Sequence, residues 1–203
     1  MNAVALLSFA ALLGVSVLAY VANQKFLRGQ HEWRRIRHWC GVVFSGVLFV
    51  FLEALLYERA SISFTTELLK GSAMPLIVFV AGCVIGMAWE YMGQLAFDWW
   101  HYPSLRRHHG LFLVLPLFWG FFMLIMQDTY AIARIGGLGE ILAALLAAAF
   151  MGLVIEGINL ITNSWTYTGK YSSPIVLTVG WLVLLAFTFI LGFNTFFINP
   201  FGL

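Results

Sequence analysis

Six apolar runs limit what this chain can fold into: 3–22, 40–57, 75–97, 111–127, 140–164 and 174–197. Each holds 17 to 25 residues. An α-helix of that length crosses the hydrocarbon core of a bilayer, roughly 30 Å at about 1.5 Å per residue. Backbone polar groups in lipid must bond inside the segment or around a closed barrel. The alternating strands of a barrel are absent. Only 10% of the 203 residues are charged, against roughly 25% in soluble domains. The expected fold is all-α: a single polytopic membrane bundle of about six transmembrane helices over residues 1–203. The first run has no positive region before it and no cleavage site after it, so it reads as a retained span.

The loops set the orientation. Those after the first, third and fifth runs carry Lys25, Arg28, Arg34, Arg35, Arg37, Arg106, Arg107 and Lys170. The opposite side carries Arg59, Lys70 and Arg134. The positive-inside rule then places both termini outside. A bacterial inner (plasma) membrane is the expected location. The basic loops suit anionic lipid headgroups, and nothing suggests a nucleic-acid partner. Cys40 and Cys83 read as buried thiols. Glu53, Glu58, Glu67 and Glu140 lie near the ends of runs and read as solvated.

One stretch occurs twice, at Gly86–Tyr102 and at Gly152–Tyr167. Each has Gly four residues before a Glu, a Trp nine residues after it, and a Trp-x-Tyr end. The first copy carries one extra residue. The copies suggest an internal parallel repeat centred on 75–102 and 140–167. Glu90 lies seven residues before Phe97, roughly 10 Å inside its helix end at ~1.5 Å per residue. A carboxyl at that depth marks a functional site by default, and Glu90 and Glu156 are the candidate catalytic pair. Residues at i+3, i+4 and i+7 share a helix face. Gln94 therefore follows Glu90, and Asn159 and Asn163 follow Glu156. With Trp89, Tyr91, Trp99, Trp165 and Tyr167 they form the candidate substrate-binding set. The expected geometry is one cavity shared by both acids. Glu90 has no cation in its span and is expected to be protonated, donating to Gln94 or to the fifth span. Gly86 and Gly152 would let a neighbour approach the backbone closely. The Trp-x-Tyr ends also suit interfacial anchoring.

The pattern resembles small helical membrane proteins of the lycopene cyclase-like group, which carry an acid in a span followed by a Trp-x-aromatic near the helix end. Trp89-Glu90 is similar to the Trp-Glu pair of membrane terpene cyclases of the meroterpenoid type. The resemblance implies an isoprenoid cyclase-like isomerase or lyase. In it, acids protonate an isoprenoid alkene or epoxide and aromatics stabilise the cation. Cation–π attraction makes this chemistry physically sound. The same features fit a proton-coupled small transporter, or a non-catalytic lipid- or pigment-binding subunit of a membrane complex. Partners expected are membrane lipids, an isoprenoid or pigment ligand, and a second copy or larger complex. Histidines occur without the spacing of a metal site, and no nucleotide or dinucleotide motif occurs. No metal and no cofactor are expected.

Overall fold

The computed structural model describes residues 3–21, 31–102, 113–168, 190, 192, 194 and 200–203. Helix α1 spans Ala3–Val21 and α2 spans His31–Ala60. Helix α2 starts well before the apolar run at 40, because residues 31–39 hold no Gly or Pro to stop it. The short helix α3, Phe64–Leu69, is opened by a capping box. Ser63 Oγ accepts from Thr66 N at 3.1 Å, and Thr66 Oγ1 accepts from Ser63 N at 3.0 Å. Helix α4 covers Met74–Tyr91 with Pro75 in its first turn, and a π-helical turn, Met92–Ala96, continues it. Helix α5 covers Leu115–Ile135 and α6 covers Glu140–Thr162. Two short strands, β1 Trp100–His101 and β2 Thr166–Tyr167, pair antiparallel.

Four segments are long and apolar enough to cross a membrane: His38–Ala60, Met74–Ala96, Leu115–Ile135 and Glu140–Thr162. Helix α1 is equally apolar in character, with a shorter candidate stretch at Ala3–Leu18. The expected sixth span, 174–197, lies outside the described residues except at 190, 192 and 194.

Helix α5 is the axis of the bundle. It packs against α2, α4 and α6, and 72% of its membrane window is buried against 33–44% in the other three. Small residues permit the α4–α5 approach. A Cβ added at Gly82 would lie 2.7 Å from the Trp119 carbonyl oxygen, and one at Gly86 would lie 2.1 Å from Trp119 Cγ. The outward faces are apolar: Leu7, Val84, Leu153 and Leu160 are all exposed. A large apolar outer surface is what lipid contact requires.

Two expectations are corrected here. The fourth apolar run ends at Gln127, which would leave Asp128 beyond the helix. The helix instead continues to Ile135, because no Gly or Pro lies between Gln127 and Gly136. Asp128 is consequently inside the bundle and fully buried. Glu53 is not solvated either. Helix α3 folds back over the end of α2, and Glu53 accepts from Phe64 N at 2.8 Å and Thr65 N at 2.6 Å. Glu58 and Glu140 are exposed, and Glu67 is partly exposed beside Lys70.

Candidate functional site

Glu90 sits on the last turn of α4, 2% exposed. Its side chain accepts four hydrogen bonds. Oε1 takes Trp119 Nε1 at 2.9 Å and the Tyr102 hydroxyl at 2.9 Å. Oε2 takes Trp100 Nε1 at 3.0 Å and Gln94 Nε2 at 2.9 Å. Two carboxylate oxygens offer about four lone-pair sites, so the acceptor capacity is filled. Moving a carboxylate out of water costs several kcal/mol. Hydrogen bonds to a charged group contribute about 1.5–3 kcal/mol each, so four of them offset that cost.

Local folding brings these donors together. Gln94 is one turn beyond Glu90 and shares its face. After the π-turn the chain reverses: Phe97 N donates to Met92 O at 3.0 Å, Asp98 takes a left-handed φ of 48°, and Trp99 N donates to Gly93 O at 2.7 Å. The reversal lays the Trp100 ring onto Gly93, where a Cβ would lie 2.1 Å from Trp100 Cη2. Trp119 arrives from α5 over Gly86. The two glycines are thus seats for the two indoles that bond Glu90.

The strand pair holds the Trp-x-Tyr ends side by side. Trp100 stands opposite Tyr167, and His101 opposite Thr166. Alternation along a strand sends Trp100 and Tyr102 to one face and His101 to the other. The outer face carries the exposed contact of Thr166 Oγ1 with His101 Nε2 at 2.9 Å. Thr168 N donates to Trp99 O at 2.9 Å, and Thr168 Oγ1 to Asp98 O, which extend the pairing. On the inner face the Tyr102 and Trp165 rings meet edge-on at 5.9 Å.

These groups surround a tight cavity of about 10 Å³, lined by Glu90, Trp100, Tyr102, Phe118, Trp119, Phe122, Ile155, Trp165 and Tyr167. Burial pushes the Tyr102 phenol well above its usual range, and the charge of Glu90 acts in the same direction. Tyr102 therefore keeps its proton and donates. Each indole N–H is an obligate donor, one on each Glu90 oxygen. Tyr102 and Gln94 can reverse their hydrogen-bond direction. The carboxyl can take up a proton at this site only if one of those two turns around. The expected donation from Glu90 to Gln94 is not the arrangement found: Gln94 is a donor here.

Glu156 is half-buried on α6 and accepts from the Tyr167 hydroxyl. It does not line the pocket, whereas Tyr167 does. The single cavity expected between the third and fifth spans is corrected accordingly, because α5 packs between α4 and α6. Tyr167, bonded to Glu156, lines the same pocket as Glu90.

The other expected residues divide. Trp165 and Tyr167 line the pocket. Asn159 Oδ1 accepts from Trp165 N at 3.0 Å and so positions that ring. Trp89 is buried behind the site, packed against Trp99 at 5.7 Å and Trp100 at 5.9 Å. Trp99 stacks on Phe97 at 4.9 Å, outside the pocket lining. Tyr91 is exposed on the outer face of α4. Asn163 is exposed in a left-handed conformation, φ 50°, and ends α6. Neither joins the pocket. The Trp-x-Tyr ends are not surface anchors: Trp100 and Trp165 are 6% and 7% exposed.

The candidate set lacks Trp119, Phe118 and Phe122, and also Trp100, Tyr102 and His38. The first three come from α5, which carries no acid-centred motif. The spacing of Gly82 and Gly86 was a signal that something large approaches α4, without saying what. His38 is buried on α2 with its ring edge-on to Tyr102 at 6.1 Å. No family model, curated protein or solved structure matches the chain.

Proposed function

We propose that this protein is a multi-pass membrane enzyme that transforms an isoprenoid or other lipid through a positively charged intermediate. The observation that carries this reading is the pocket itself. It combines one carboxylate with seven aromatic side chains: Trp100, Tyr102, Phe118, Trp119, Phe122, Trp165 and Tyr167. Ring faces and a fixed anion attract a developing cation without offering it water. In this reading Glu90 is the fixed anion, since its donors hold it in place. Protonated Glu156 supplies the proton: the Tyr167 hydroxyl turns to accept from it, gives its own proton to the substrate and takes that of Glu156 in return, leaving Glu156 ionised. The cavity as it stands has room for about one water molecule, so in this reading the reacting end of a lipid enters as the aromatic walls move apart. The expected setting is a bacterial inner membrane with both termini outside. The repeat reading rests on the matched residues of the two copies, Gly86–Tyr102 and Gly152–Tyr167.

A second reading, a non-catalytic lipid- or pigment-binding subunit, is favoured by one observation. Every acceptor site on Glu90 is already filled, as in a structural anchor. Comparative lipid analysis separates the two. Membranes containing the wild-type chain are compared with those containing Glu156→Gln. A lipid consumed or formed only with wild type supports the enzyme. The same lipid retained by both proteins without conversion supports the subunit. Wild type that neither retains nor converts any lipid sinks both.

A further inference from the structure

A second buried polar centre lies at the opposite end of α5 from Glu90. Asp128 is nine residues beyond Trp119, roughly 14 Å along the helix at ~1.5 Å per residue. It is 0% exposed, and both its oxygens lack a donor among the described residues. Its polar neighbour is the carboxyl of Glu53, within hydrogen-bonding reach. Glu53 is itself 5% exposed. Each Glu53 oxygen already accepts one backbone N–H, from Phe64 and Thr65. Beside them Gln127 is 1% exposed, and its amide oxygen and nitrogen have no partner among the described residues.

No described cation neutralises the pair. Lys70 bonds Glu67 at 2.8 Å, and Arg134 Nη1 bonds Leu138 O at 2.9 Å. Helix α2 carries Tyr57 and Arg59, both exposed, and His38 towards its other end, and α4 and α6 hold no Lys or Arg. Helix α4 carries Cys83, bonded to Pro116 O at 3.0 Å, Glu90 at the far end, and exposed Tyr91. Helix α6 carries exposed Glu140 and, at the far end, Glu156. Two ionised carboxylates in contact, dry and without a cation, repel and lack solvation. One proton resolves both problems. An Asp128 O–H would give its hydrogen to a Glu53 oxygen, which has a lone pair left after its backbone bond.

We infer that Glu53 and Asp128 form a proton-binding site, with one proton carried on Asp128 and donated to a Glu53 carboxylate. The site ties three elements together: α2 through Glu53, α5 through Asp128, and the start of α3 through Phe64 N and Thr65 N. It is separate from the aromatic pocket and stands whatever that pocket does.

The chain has two aspartates, Asp98 and Asp128, and Asp98 is exposed. Isotope-edited infrared spectra of wild-type protein in lipid bilayers, carrying carbon-13 carboxyl-labelled aspartate, therefore read Asp128 directly. The expected result at neutral pH is one ionised and one neutral aspartate, the neutral band shifting in deuterium oxide. In Asp128→Asn the neutral band should vanish. In Glu53→Gln it should persist at a displaced frequency, because its acceptor has changed. Glu90→Gln should leave it in place. Two ionised aspartates in wild type would overturn the inference. So would a neutral band that disappears when sodium is added at constant pH, since a metal cation would then occupy the site. The labelled wild-type measurement stands even if a variant fails to accumulate.

Discussion

Replacing Glu90 by Gln exchanges one oxygen for an NH2 in a site built of donors. If the amide nitrogen takes the place of Oε1, it confronts Trp119 Nε1 and the Tyr102 hydroxyl. Tyr102 can turn to accept, but the indole cannot. If it takes the place of Oε2, it confronts Trp100 Nε1 and Gln94 Nε2. Gln94 can flip, and again the indole cannot. Either way one buried indole N–H loses its acceptor and faces another donor. A stranded buried donor costs about 1–3 kcal/mol, and the remaining bonds lose their charge assistance, which adds about 1 kcal/mol each. The expected loss for Glu90→Gln is roughly 3–6 kcal/mol, so this variant does not fold as well as wild type. The rotamer decides which indole suffers. Combining Glu90→Gln with Trp119→Phe, or with Trp100→Phe, removes the stranded N–H, and one of the two doubles should be more stable than additivity predicts. The expected coupling is about 1–3 kcal/mol. The assay is thermal unfolding in detergent micelles, followed by circular dichroism in a full double-mutant cycle. Stability of Glu90→Gln within about 0.5 kcal/mol of wild type, with strict additivity in both cycles, would refute the four-donor geometry.

Gly86→Ala and Gly93→Ala should each destabilise by about 1–3 kcal/mol, the usual range for overpacking. Each added Cβ falls 2.1 Å from an indole atom; a tryptophan fluorescence change accompanied by a lowered melting temperature is expected. Tyr102 should add an alkaline limit to stability. Its folded-state value lies above the usual value near 10, so its contribution is complete below about pH 10 and falls as pH rises beyond that. Melting temperature measured against pH should fall less steeply above pH 10 in Tyr102→Phe than in wild type, and equal slopes would contradict the assignment. Tyr167→Phe should leave the fold intact while abolishing any lipid conversion, as judged by product analysis; full turnover would remove Tyr167 from the proton path. For orientation, single cysteines at Gln30 and Gly137 should label from inside and outside respectively, and the reverse pattern rejects it.

The membrane fold was legible because hydropathy and helix length are local properties. Residues 40–57, 75–97 and 140–164 announce themselves without reference to any neighbour, since lipid forces each segment to satisfy its own backbone. Glu90 was legible for the same reason: a carboxyl seven residues inside an apolar run stands out without reference to any neighbour. The paired Trp-x-Tyr ends were visible as text, but their turn inward was not. That depended on the π-turn at Met92–Ala96 and the left-handed Asp98, which fold Trp100 back over Gly93. Trp119, 29 residues from Glu90, reaches it only because α5 runs through the centre of the bundle. The separation of Glu156 from Glu90 follows from that central position too, and matched depth along two helices could not reveal a third between them. Glu53 and Asp128 read as loop-edge charges in one dimension. Only the fold of α3 over α2, and the extra turns of α5, put them together out of reach of water.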